Sequence, residues 1–76
     1  MREEVLEILE GICPDIDFET ETELIDGGAI DSFAVIQIMT ELMDHFNIFI
    51  DADDIEPENL NSLDSICEMV RSKMES

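Results

Sequence analysis

The segment Asp31-Ser32-Phe33-Ala34-Val35-Ile36-Gln37-Ile38-Met39-Thr40-Glu41-Leu42-Met43-Asp44-His45-Phe46 decides the fold. At roughly 100° per residue, Val35, Ile38, Met39, Leu42 and Phe46 fall on one side of a helix, the pattern of a core stripe. The helix is predicted to begin at Asp31 or Ser32, both good N-cap residues, and to run to about Phe46, where Asn47 can end it. On the opposite side lie Phe33, Gln37, Thr40 and Asp44, flanked by Ile36 and Met43, so apolar groups stand where polar ones are expected. One exposed hydrophobe means little. Several together, rimmed by Asp31, Glu41 and Asp44, read as a docking surface in which apolar contacts supply affinity and acids supply orientation. The competing account packs Ile36 and Met43 under a neighbouring loop and leaves only Phe33 exposed.

Upstream, residues 3–12 place Val5, Ile8, Leu9 and Ile12 on one helical face opposite Glu3, Glu7 and Glu10, with Gly11 and Pro14 bracketing the end. Residues 13–30 form a long connection, pinned to the core by Ile16, Phe18, Leu24 and Ile25; loops of this length in a small domain are often functional. Gly27 and Gly28 allow a tight turn just before Asp31. Downstream, Ile48, Phe49 and Ile50 form a short extended stretch, and residues 53–60 a short helix or turn interrupted by Pro57. Asn61 or Ser62 then caps a last helix with Leu63, Ile66, Cys67, Val70 and Met74 on one face. The sum is all-α: a small antiparallel four-helix bundle, three main helices and one short one, with a long loop after the first and a single domain over residues 1–76.

The formal net charge is -18, from 21 acidic residues against three basic ones. The basic residues are Arg2, Arg71 and Lys73, so none lies between residues 3 and 70. Such a field repels nucleic acid and anionic membrane surfaces and steers the chain to basic patches on partners. It also opposes compaction, so added salt is expected to raise the melting temperature. Hydrophobic residues make up 45% of the chain and fall in periodic runs, which favours a folded core over disorder. A chain this short still buries only about 60% of its unfolded surface, and stability is expected to be modest. Cys13 and Cys67 form no CxxC pair and accompany a lone histidine, which argues against zinc or redox chemistry and for two small core residues. With no signal peptide and no apolar run near the ~20 residues of a bilayer span, the expectation is a soluble, cytoplasmic monomer.

The segment Gly27-Gly28-Ala29-Ile30-Asp31-Ser32-Phe33 resembles the modification motif of acyl carrier proteins, in which an acid-serine-hydrophobe triplet opens the second helix. The resemblance extends through the acidic loop, Asp44-His45-Phe46, and Ile55-Glu56-Pro57-Glu58-Asn59-Leu60-Asn61-Ser62-Leu63. It implies that Ser32 accepts 4′-phosphopantetheine from coenzyme A, and that Asp31 helps hold the metal and basic groups of the modifying transferase. The physical placement agrees, because a phosphodiester at a helix N-terminus meets open N–H groups and the positive end of the dipole. The same resemblance implies a non-catalytic carrier that holds its cargo as a thioester. Its partners would be a phosphopantetheinyl transferase, an adenylating acyl or aminoacyl ligase, and a downstream acyltransferase or synthase. Phe33 and the 57–63 segment are similar to D-alanyl and other aminoacyl carriers; carriers of fatty acid synthesis are the alternative.

Asp64-Ser65-Ile66 is a second such triplet, but it lies inside the last helix with no glycine turn before it, so neither free N–H groups nor a protruding serine is expected there. Asp51, Asp53 and Asp54 hint at a calcium loop, yet Ile55 occupies the next ligand position and the required glycine is missing. His45 stands one turn from Glu41 and pairs with it or lies free at the surface; no nucleophile accompanies it. Outside the carrier class, an acidic interaction module or nucleic-acid mimic explains the charge but not the glycine-serine segment.

Overall fold

The computed structural model describes residues 1–75. Its elements are α1 (Arg2–Ile12), α2 (Ser32–Phe46), a 3-10 turn (Ala52–Asp54), α3 (Pro57–Leu60) and α4 (Leu63–Glu75). Among the described residues no strand forms, and the architecture is the expected small helical bundle. Helix α1 packs on α2 and α4, and α3 lies along α4.

Each boundary has a local cause. Asp31 caps α2 by accepting from Ala34 N–H at 2.8 Å. Asn47 closes it in the left-handed conformation, φ 56°, with its N–H bonded to Met43 O. Ser62 caps α4, its hydroxyl accepting from Ser65 N–H at 3.1 Å. Pro57 was expected to interrupt a helix; it starts one instead, at the first position of α3, where its missing N–H costs nothing. Gly11, expected to bracket the end of α1, sits inside its last turn, and the closing bond comes from Cys13 N–H to Leu9 O at 2.8 Å.

The core joins Val5 and Leu9 of α1 to Val35, Ile38, Met39 and Leu42 of α2 and to Leu63, Ile66 and Val70 of α4. Ile8, Ile12, Phe46 and Cys67 pack partly against it. Two positions on α4 depart from the expected face: Met69 is buried and Met74 is 53% exposed. Helix α4 packs against α1, α2 and α3, which widens its buried side to include Met69, while Met74 lies in the final turn. Cys13 and Cys67 are half-buried free thiols, and burial is the main cause that holds both pKa values above the ordinary one.

The 13–30 loop is anchored by Phe18, Leu24 and Ile30, all buried. Full burial of such a side chain contributes about 1.5–3 kcal/mol, enough to hold irregular backbone against solvent. The paired glycines have separate reasons. A Cβ at Gly27 would lie 2.6 Å from Glu23 O, and Gly28 has φ +78°, a conformation only glycine adopts at little cost.

Candidate functional site

Because Asp31 is the cap of α2, Ser32 occupies the first helical position, and it is exposed. The Asp31 carboxylate takes Ala34 N–H and the Asp31 carbonyl takes Val35 N–H at 3.0 Å. Among the described residues nothing accepts from the N–H groups of Ser32 or Phe33, so a short stretch of open donors surrounds the Ser32 hydroxyl at the positive end of the helix.

Beside Ser32 lies a cleft of about 630 Å³ between the end of the loop, α2, the 3-10 turn and α3. Its walls are largely apolar, built from Ile25, Ile30, Val35, Ile55, Pro57 and Leu60. Asp31 and Glu56 are the ionisable lining residues, both acidic.

The opposite stripe of α2 splits. Phe33 is 75% and Ile36 62% exposed, and Gln37, Thr40 and Asp44 are exposed as well. Met43 is half-buried and packs against the core. Ile36 also lines the cleft, so it is not covered by the loop. Thr40 donates its hydroxyl to Ile36 O at 2.9 Å, which occupies that hydrogen within the helix.

Charge is distributed unevenly around this frame. Arg2 pairs with Asp64 and Lys73 with Asp54 at 2.6 Å, so these cations attach to α4 or its neighbours. Lys73 is the main cause that holds the Asp54 carboxyl below its ordinary pKa. Among the described residues no Lys or Arg lines the cleft beside Ser32.

The remaining motifs resolve differently. Ser65 is the third residue of α4, nearer the helix start than expected, but its N–H is taken by Ser62 and its half-buried hydroxyl pairs with Ser62 Oγ at 3.0 Å. Asp51 and Asp54 form a capping box around the 3-10 turn: Asp51 N–H donates to Asp54 Oδ2 at 3.1 Å, and Asp53 N–H to Asp51 Oδ1 at 3.0 Å. His45 bonds Glu4 of α1 at 2.8 Å rather than Glu41, and the bond lowers the Glu4 pKa. Asn61, which the sequence marks only as a possible cap of α4, has a longer reach. Its side chain bridges to the loop, accepting from Ile25 and Asp26 N–H.

The structure is thus a small helical bundle with an exposed serine at the start of its second helix. A family model described as the phosphopantetheine attachment site matches residues 2–70, and the chain belongs to that family. No curated protein and no solved structure matches the chain. Membership implies a covalently attached 4′-phosphopantetheine, interaction with a phosphopantetheinyl transferase and with synthases or ligases, and a role that is generally non-catalytic. The start of α2 fits such a group: its hydroxyl is exposed and its N–H groups are open to a phosphodiester. Among the described residues no helix is long and apolar enough to cross a membrane.

Proposed function

We propose that residues 1–76 act as one carrier domain that holds an acyl or aminoacyl group on 4′-phosphopantetheine attached at Ser32. The exposed Ser32 hydroxyl among open helix-start donors carries this reading. In the modification, Ser32 Oγ forms a bond to the β-phosphorus of coenzyme A, the pyrophosphate bond breaks, adenosine 3′,5′-bisphosphate leaves, and the serine proton passes to the transferase. The attached group supplies a thiol on a flexible arm, which carries the cargo as a thioester. Helix α2 supplies the rest: its N-terminus stabilises the phosphodiester, and Asp31 fixes the helix start while offering a carboxylate to the transferase's metal and basic groups. Phe33, Ile36, Gln37, Thr40 and Asp44, with the exposed part of Met43, form the face that transferase, adenylating ligase and downstream acyltransferase or synthase read in turn. The chain binds no nucleic acid, works as a cytoplasmic monomer, and needs no metal of its own.

Incubation with coenzyme A, magnesium and a promiscuous phosphopantetheinyl transferase adds one phosphopantetheinyl group by intact mass, and Ser32→Ala abolishes the gain. No gain with any transferase, or a gain that survives Ser32→Ala, overturns the assignment.

For the cargo, Phe33 favours an aminoacyl group such as D-alanyl by resemblance, whereas the cleft favours an alkyl chain. Each methylene buried there gains about 0.8 kcal/mol, and a D-alanyl group, with its single methyl, collects little of that gain. An octanoyl-loaded form should melt above a D-alanyl-loaded one; equal melting temperatures would remove the argument for an alkyl cargo.

A further inference from the structure

Among the described residues, Asn61 is the only residue outside the 13–30 loop whose side chain hydrogen-bonds to that loop. Its Oδ1 accepts from the N–H groups of Ile25 and Asp26, each at 3.0 Å, and its Nδ2 donates to Asp26 Oδ2 at 3.0 Å. Its carbonyl accepts from Leu24 N–H at 2.9 Å. Leu24 passes the constraint on, because its own carbonyl accepts from Ile30 N–H at 2.9 Å, one residue before Asp31. Asn61 is itself fixed, donating its N–H to Pro57 O at 2.9 Å at the end of α3, and the next residue, Ser62, caps α4.

We propose that Asn61 is a positioning residue for the modification of Ser32: a polar latch that holds the 24–26 turn against the α3–α4 junction and through it sets the approach to Ser32. The proposal rests on Ser32 being the attachment serine. The buried side chains of Leu24 and Ile30 fix the depth of the loop, but apolar contacts have no direction and leave its orientation open. Hydrogen bonds to consecutive N–H groups supply that direction. The loop needs it, since it carries acids on both sides of the turn and Gly27 and Gly28 follow directly. Ile25, beside the latched N–H groups, and Leu60, beside Asn61, line the same cleft, so the latch also joins two of its walls.

A latch of this kind acts on a population. If fewer molecules hold the loop in the competent form, apparent affinity for the transferase falls by that fraction, while the chemistry of the bound complex is unchanged. The test pairs transferase kinetics with backbone amide exchange of the unmodified protein for wild type, Asn61→Ala, Asn61→Asp, and Asn61→Asp combined with Asp26→Asn. In Asn61→Ala, the KM for the carrier rises about 10-fold with kcat unchanged, the low end of the scale expected when all three side-chain hydrogen bonds are lost. Exchange at Ile25 and Asp26 quickens while Ile38 and Leu42 stay protected. Asn61→Asp alone sets two carboxylates together and shows the same KM defect. Adding Asp26→Asn restores KM, because donor and acceptor have traded places.

A KM within twofold of wild type, a fall in kcat alone, lost protection in α2, or failure of the double exchange to rescue overturns the latch. Should Asn61→Ala fail to fold, the Asn61→Asp single and double variants decide alone. If wild type takes no group at all, the attachment reading fails separately, and equal protection of Ile25 and Asp26 in wild type and Asn61→Ala still overturns the latch.

Discussion

The triplets Asp31-Ser32-Phe33 and Asp64-Ser65-Ile66 have the same acid-serine-hydrophobe order, and both lie in the first turn of a helix. They differ in register against the cap. In the first, the aspartate is the cap, so the serine falls at the first helical position and the hydrophobe at the second, where Phe33 is 75% exposed. In the second, Ser62 is the cap, and the triplet moves two residues into the helix. Ser65 then turns back onto Ser62, and Ile66, only 1% exposed, enters the core. Electrostatics follow the same division, because Asp64 is paired with Arg2 whereas Asp31 faces a cleft lined by no Lys or Arg. A serine is available for modification because of where the cap falls, and the letters around it decide little.

The largest expected effect separates the two hydrophobes. Ile66→Ala removes a buried side chain and should cost about 2–5 kcal/mol in denaturant unfolding. Phe33→Ala should stay within about 0.5 kcal/mol of wild type while slowing loading by the ligase. Ser65→Ala belongs with these variants, since it should leave the mass gain at Ser32 intact. Phe33→Ala as destabilising as Ile66→Ala would mean that Phe33 is core, and the contrast between the triplets would collapse.

Most of the frame behind this contrast was legible because its signals are local. Asp31, Asn47 and Ser62 act on backbone within three or four residues, and the stripe from Val35 to Leu42 repeats with the helix period. What escaped depends on partners distant in sequence. Met69 is buried on a helix that packs against α1 and α2, both far upstream in the chain, as well as against the adjoining α3. His45 chose Glu4 over the nearer Glu41. Asn61 reaches back to Asp26, and a polar contact across that separation leaves no periodic trace.

The caps come next in size and test the register directly. Asp31→Ala and Ser62→Ala should each cost about 1 kcal/mol by thermal or denaturant unfolding. Asp31→Asn separates cap from charge: its amide oxygen still accepts from Ala34 N–H, so stability should hold while transferase KM rises. Equal modification kinetics for Asp31→Asn and wild type would reduce Asp31 to a cap, like Ser62.

The smallest effect concerns the ion pairs that set the surroundings of α4 apart from the start of α2. Lys73, as the main cause, lowers the Asp54 pKa from its ordinary 3.8, and Asp54 in turn raises that of Lys73 from 10.5. A carboxyl depressed on folding stabilises the fold above its unfolded pKa, and that contribution fades as pH falls through the folded value. A raised lysine behaves oppositely: its contribution is complete below the unfolded value and lost as pH rises through the folded one. Protonating the many other acids at low pH relieves repulsion across the whole molecule, so absolute melting temperatures mix two trends. The difference between wild type and Asp54→Asn cancels the shared one. It should be steady between about pH 5 and 9, shrink below pH 4 as Asp54 protonates, and shrink again only above the ordinary lysine range. A difference that stays constant down to pH 2.5 would show that Asp54 does not stabilise the fold through Lys73, leaving Arg2 and Asp64 as the pair that distinguishes the second triplet from the first.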